Sequence, residues 1–180
     1  LVFKDDGPAI DADTAFVAPS VIVDETTLGT PSGAIDFAGA FKAPIYGADG
    51  AASTAPLVYS LEVDTTVTTG LTDTATGEAI VLSVNGAGEV EGRTETGDAL
   101  AFTVSVNADG QVTLTQTRPF SHPDTTDPDD VLSLPSGALS LKATVTDKDG
   151  DQADASISLG DKLVFKDDGP AIDADTAFVA

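Results

Sequence analysis

The first eighteen residues of the chain, LVFKDDGPAIDADTAFVA, return unchanged as its last eighteen, Leu163 to Ala180. Residue 1 maps onto residue 163, an offset of 162 residues. Chance does not produce such identity, so the sequence reads as one full period of a tandem array followed by the opening of the next. Repetition at a fixed period signals a quasi-linear architecture. This period is far longer than the roughly 20–45 residues of a solenoid repeat. Each period is therefore expected to fold by itself, as one bead on a string. The segment KDDGP, at Lys4–Pro8 and again at Lys166–Pro170, carries the Gly-Pro punctuation of a linker. The spacing predicts one domain over residues 8–165, an entry linker over 1–7, and a linker plus the start of the next repeat over 166–180.

Within the period, strand signals dominate. Leu57, Tyr59, Leu61 and Val63 alternate with polar neighbours, as do Phe102, Val104 and Val106. The latter run continues through NADG into Val112 and Leu114, which predicts a hairpin. VLSVNGAGEVEG predicts a second. Leu139, Leu141, Ala143 and Val145 form one strand, and Ala153, Ala155, Ile157 and Leu159 its partner across DKDGD. No segment carries a helical apolar stripe. The prediction is all-β: an immunoglobulin-like β-sandwich with Greek-key connections. Such a sandwich needs only about 100 residues. The surplus falls in residues 25–56 and 118–131, as insertions or an extra small sheet.

Charge narrows the partners. Eight Lys and Arg stand against thirty Asp and Glu, for a formal net charge of −22. That surface repels nucleic acid and anionic membrane and attracts cations. The expected partners are calcium and neighbouring repeats of the same chain, with no nucleic acid, no membrane insertion and a monomeric state. With no Cys, disulfides and thiolate metal sites are ruled out. No run approaches the ~18 apolar residues of a membrane span. Lys4, Asp5 and Asp6 come too early for a secretory leader, so the stretch is expected to be a fragment or to be exported by a signal outside it.

The acids cluster. Asp147, Asp149 and Asp151 stand at i, i+2 and i+4 around Gly150. Hard cations such as Ca²⁺ take six to eight oxygens at ~2.3–2.6 Å. Alternate residues of a tight loop can turn carboxylates toward one point, and without an ion such neighbours repel. An EF-hand is rejected: counting from Asp147, the twelfth position is Ser158 and the sixth is Gln152, and the flanks read as strands. A calcium-binding hairpin loop remains; the alternative is a solvated turn that simply favours Asp and Gly. The loop is expected at the pole where Asp5 and Asp6 enter, so that an ion could clamp linker to domain, with Asp24 and Glu25 as further candidates at that entry pole. By the repeat, Asp167 and Asp168 should meet the equivalent loop of a following domain. HPDTTDPDD offers a second acidic loop, with Asp124, Asp127, Asp129 and Asp130 as candidate ligands. His122, the one His, reads as a surface or hydrogen-bonded residue that makes no zinc site alone.

A catalyst is not expected. One His and no Cys leave few nucleophile–base pairs, Ser136 lacks the flanks of a nucleophile elbow, and aromatic platforms for sugar are scarce, with no Trp and two Tyr.

The segments GLTDTATGEAIVLSVNGAGEVEGRT, VTLTQTRPFSHPDTTDPDD and LKATVTDKDGDQADASISLGDKLVFKDDGP resemble the long tandem repeats of giant RTX-type adhesins, which leave Gram-negative bacteria by type I secretion. The likeness runs over most of residues 57–170. It implies an extender domain, a β-sandwich bead repeated many times to project ligand-binding domains from the cell in adhesion and biofilm formation. It also implies Ca²⁺ at loops and interdomain linkers, an extracellular location, and an uncleaved C-terminal secretion signal elsewhere. The glycine-rich nonapeptide repeat of that family is absent, so this is not the RTX β-roll itself. A sugar- or peptide-binding module of such an adhesin is the alternative.

Overall fold

The computed structural model describes residues 6–124, 126, 127 and 129–169. Among these, eleven strands account for nearly all regular structure. They are β1 (Val21–Asp24), β2 (Ile35–Asp36), β3 (Leu57–Val63), β4 (Ile80–Val84), β5 (Val90–Thr94) and β6 (Leu100–Val106). After them come β7 (Gln111–Gln116), β8 (Val131–Ser133), β9 (Leu139–Thr146), β10 (Gln152–Ser158) and β11 (Leu163–Lys166). Helix is limited to single 3-10 turns, at Glu25–Thr27, Ala38–Ala40 and Gly160–Lys162.

The three hairpins read from the sequence are present. β4 pairs with β5, β6 with β7, and β9 with β10, all antiparallel. They build a five-stranded sheet in the order β2-β7-β6-β5-β4 and a three-stranded sheet in the order β10-β9-β3. β3 packs across onto β4, β5 and β6, so the two sheets face one another as an all-β sandwich. Alternation explains the core. On β9 Leu139, Leu141, Ala143 and Val145 are fully buried, and on the facing sheet so are Phe102, Val104, Val112 and Leu114. β-branched and aromatic residues suit this pleated, half-buried surface. At Gly92, where the pairing with β6 shifts register, an added Cβ would stand 2.2 Å from the Phe102 ring. Only glycine lets that ring lie flat against the strand.

A third, small sheet runs in the order β1-β11-β8, with strands that fall almost wholly outside the surplus stretches 25–56 and 118–131. β1 runs parallel to β11, and β11 runs antiparallel to β8. Phe165 of β11 meets Phe102 and Phe120, with ring centroids 5.1 Å from each, and this contact seals the small sheet to the main core. The repeated LVFK is thus a core strand on its second occurrence. Lys166, expected just beyond the domain, ends that strand because Leu163 and Phe165 are both fully buried.

Residues 25–56 lace the sandwich rather than standing apart from it. Isolated bridges join Ala9 to Ile45, Ala12 to Phe41, Pro31 to Thr115 and Ala51 to Asp147, while Phe37, Ala40 and Phe41 are buried. The 118–131 segment is tied down at its start. Arg118 donates from Nε and Nη2 to both carboxylate oxygens of the buried Asp73, at 2.8 and 2.9 Å. The side-chain bond from Arg118 is the main reason that the Asp73 carboxyl is held far below the usual carboxylate range; Thr76 adds to it, and burial opposes it.

Candidate metal centres

The β9–β10 hairpin turns through Asp147–Asp151. One carboxylate oxygen from each of Asp147, Asp149 and Asp151 lies within 4.8 Å of the others. Asp147 is buried and the other two are exposed. Asp147 organises the turn: its Oδ1 accepts from the N–H groups of Gly150 and Asp151, at 3.1 and 2.8 Å. Gly150, at φ 104°, supplies a backbone conformation that side-chain-bearing residues avoid. The loop also touches the entry segment. A Cβ added to Gly7 would lie 4.0 Å from Asp151 Oδ2. The Asp6 carbonyl packs so closely on Gly47 that a Cβ there would stand 2.0 Å from its oxygen. Lys148 N–H donates to Gly50 O at 2.9 Å, which anchors the loop on the same 45–52 segment. Asp5, the other expected ligand from the linker, lies outside the described residues.

A second cluster stands where β11 ends. One donor atom from each of Glu25, His122 and Asp167 lies within 4.8 Å of the others. Parallel pairing builds it: β1 matches Asp24 to Lys166, so Glu25 and Asp167 leave the small sheet side by side. Asp24 and Glu25 therefore belong to the exit end and not to the entry pole expected from the sequence, because parallel strands carry their C-terminal ends the same way. Asp24 serves as a cap. Its Oδ1 accepts from the N–H and hydroxyl of Thr26, and those bonds, the hydroxyl first, pull its carboxyl below the usual range. Asp167, expected to wait for a following domain, is gathered by its own domain, and its N–H donates to Asp130 O at 2.9 Å.

Glu25 is fixed from two sides. Its Oε1 accepts from Phe120 N–H at 2.8 Å and Gln116 Nε2 at 2.9 Å. His122 faces it. The imidazole is 3 % exposed, against 7 % for the Glu25 side chain, so the side chain of the histidine read as a surface or hydrogen-bonded residue is buried. Nε2 lies 3.5 Å from Glu25 Oε1 and Nδ1 lies 3.7 Å from Asp130 Oδ2. Neither ring nitrogen makes a hydrogen bond among the described residues, nor does the buried Oε1 of Gln116. Buried polar atoms are nearly always partnered. No local pattern around the lone His announced this. Phe120, two residues earlier, enters the Phe102–Phe165 aromatic cluster, and with Ser121 exposed between them the His122 side chain returns to the inner side.

The HPDTTDPDD loop does not gather its carboxylates as expected. Asp124 Oδ1 accepts from Thr126 N–H and Oγ1, and Asp127 Oδ1 accepts from Asp129 N–H. Asp129 reaches Lys166 Nζ at 3.4 Å, and Asp130 turns toward Asp124 N–H and His122. Among the described residues Asp127, Asp129 and Asp130 form no common cluster. Their oxygens go to local N–H groups, to Lys166 and toward His122, and not to one common point.

An open groove of about 610 Å³ lies along β4, walled by Val67, Leu71, Ile80 and Leu82 and lacking any aromatic ring. Neither the curated proteins nor the solved structures give a match to the chain. One protein-family model does match, over residues 20–160, and it is described as a domain of unknown function, DUF5801. That match spans the three sheets as far as the end of β10, well over half of the chain, and the protein belongs to the DUF5801 family.

Proposed function

We propose that the chain is a calcium-stabilised spacer domain from a tandem array, an extender of a secreted cell-surface adhesin that holds ligand-binding domains away from the cell. One observation carries the reading. The repeated dipeptide Asp-Asp occurs as Asp5-Asp6 at entry and as Asp167-Asp168 at exit. At exit, Asp167 joins the Glu25–His122 cluster of the domain that ends there. At entry, Asp6 and Gly7 lie against Gly47 and Asp151 of the domain that begins there. In an array the two descriptions apply to one linker. Its first Asp would belong to the upstream bead and its second to the downstream bead, one peptide of ~3.8 Å apart.

Such a joint concentrates carboxylates from two domains around a short linker. Without cations their repulsion opposes close approach, and a divalent ion reverses the sign of the interaction. Extracellular calcium modules bind with Kd of ~10⁻⁴–10⁻³ M, so millimolar calcium outside a cell fills them and the low calcium inside does not. The net charge of −22 disfavours compaction before export, and calcium outside adds stability by mass action. A protein of two consecutive repeats tests the reading by small-angle X-ray scattering. It is expected to be a flexible pair in EGTA and a rigid, longer rod in calcium. Identical scattering in the two conditions would remove the proposal.

A further inference from the structure

We infer that Glu25, His122 and Asp167 form a binding site for a divalent transition metal of the zinc class, chemically distinct from the oxygen-only loop at Asp147–Asp151. The imidazole carries the argument. Calcium takes oxygen ligands, whereas imidazole nitrogen suits zinc and its neighbours in the first transition row. Here the nitrogens of a ring only 3 % exposed have no hydrogen-bond partner among the described residues, and both face carboxylates. Left empty, that arrangement strands two buried polar atoms. A metal at Nε2 partners one of the two, and a small approach of Asp130 from 3.7 Å would partner the other.

The separations fit. Zinc binds nitrogen and oxygen at about 2.0–2.2 Å, and two ligands at a tetrahedral angle then stand roughly 3.4 Å apart. Nε2 and Glu25 Oε1 are 3.5 Å apart, too long for a good hydrogen bond and right for two ligands of one ion. Asp167 supplies the third ligand, with one carboxylate oxygen within 4.8 Å of a ring nitrogen and of a Glu25 oxygen, which leaves a position for water. Asp130 Oδ2 lies 3.7 Å from Nδ1, too far for a hydrogen bond as it stands but on the side of the ring from which a carboxylate orients a ligating imidazole. The N–H donors of Phe120 and Gln116 hold the Glu25 carboxylate in place. An ion there would tie the start of the exit linker to the loop after β7 and to the end of β1. The inference stands apart from the calcium reading, and either can fail alone.

The chain has one His, so its ring protons give a single imidazole signature in the NMR spectrum of untagged protein. One equivalent of Zn²⁺ is expected to shift both ring resonances, and one equivalent of Co²⁺ to give the visible bands of a nitrogen-ligated ion. A large excess of Ca²⁺ is expected to leave the zinc in place. Asp167→Asn, at the chain's exit where folding is least exposed to change, is expected to weaken zinc binding by about tenfold or more. His122→Gln should abolish the cobalt bands while keeping the calcium response of the hairpin loop. Unmoved imidazole signals, displacement of zinc by calcium, or unchanged zinc affinity in Asp167→Asn would each overturn the assignment.

Discussion

The two acidic clusters are built in opposite ways. The hairpin cluster takes its three carboxylates from five consecutive residues, and Asp147 Oδ1 caps the turn that presents them. The exit cluster takes residues 25, 122 and 167 from three separate stretches, and exists only once β1, the Phe120 segment and β11 have packed together. The first needs one hairpin to form; the second reports on the whole small sheet. They also differ in what they offer a metal: oxygens alone in one, two of the three carboxylates exposed, and a buried nitrogen between acids in the other. A local cluster can respond to its ion almost independently of the rest of the fold, whereas a dispersed one is coupled to global stability.

The largest expected effect separates the clusters through Asp73. Asp73→Ala removes the buried partner of Arg118, the residue that pins the start of the 118–131 segment. Loss of such a pair costs about 3 kcal/mol, a fall in Tm of roughly 6–12 °C for a domain of this size. Zinc binding at His122 is expected to weaken with it, and the calcium response of the hairpin loop to persist. Equal damage to both clusters would erase the distinction. The same pair sets an acid limit. Because the folded Asp73 carboxyl lies below its unfolded value, its contribution is complete at neutral pH and drains away as pH falls from about 5. The gap in Tm between wild type and Asp73→Asn should therefore be widest near neutrality and shrink in acid.

Next in size is calcium itself. At a hundredfold excess over Kd one ion adds about 2.7 kcal/mol, seen as a rise in Tm that EGTA reverses. Asp149→Asn with Asp151→Asn should remove this response and leave zinc binding intact. The smallest effect sharpens the entry side alone. Gly47→Ala would place a methyl group against the Asp6 carbonyl, at φ 68° where alanine is strained. A loss of about 1–2 kcal/mol is expected, together with weaker calcium binding if Asp6 belongs to that site, as titration calorimetry would read.

Sequence legibility followed the same divide. The hairpins, the facing apolar sets and the Asp147–Asp151 turn were readable because strand alternation and alternate carboxylates are local patterns. Asp24 and Glu25 were assigned to the wrong pole because nothing near them reveals that β1 pairs with a strand some 140 residues later, and in parallel. His122 reads as a surface or hydrogen-bonded residue because it is a lone His beside Pro123, while its imidazole lies on the inner side with Phe120, which clusters with Phe102 and Phe165. The HPDTTDPDD acids looked like ligands because sequence shows a carboxylate but not the Thr or backbone N–H already bound to it.

The placement of β11 has a mechanical consequence. It is the last strand before the exit, and hydrogen-bonded neighbours flank it on both sides, β1 parallel and β8 antiparallel. Tension applied along that strand from its C-terminal end loads the two ladders in shear, so their rungs must yield together rather than unzip one by one. Two buried anchors, Leu163 and Phe165, would have to slide through packed core at the same moment. A fold fastened in this way resists being drawn out lengthwise far better than a terminal hairpin peeled from its edge.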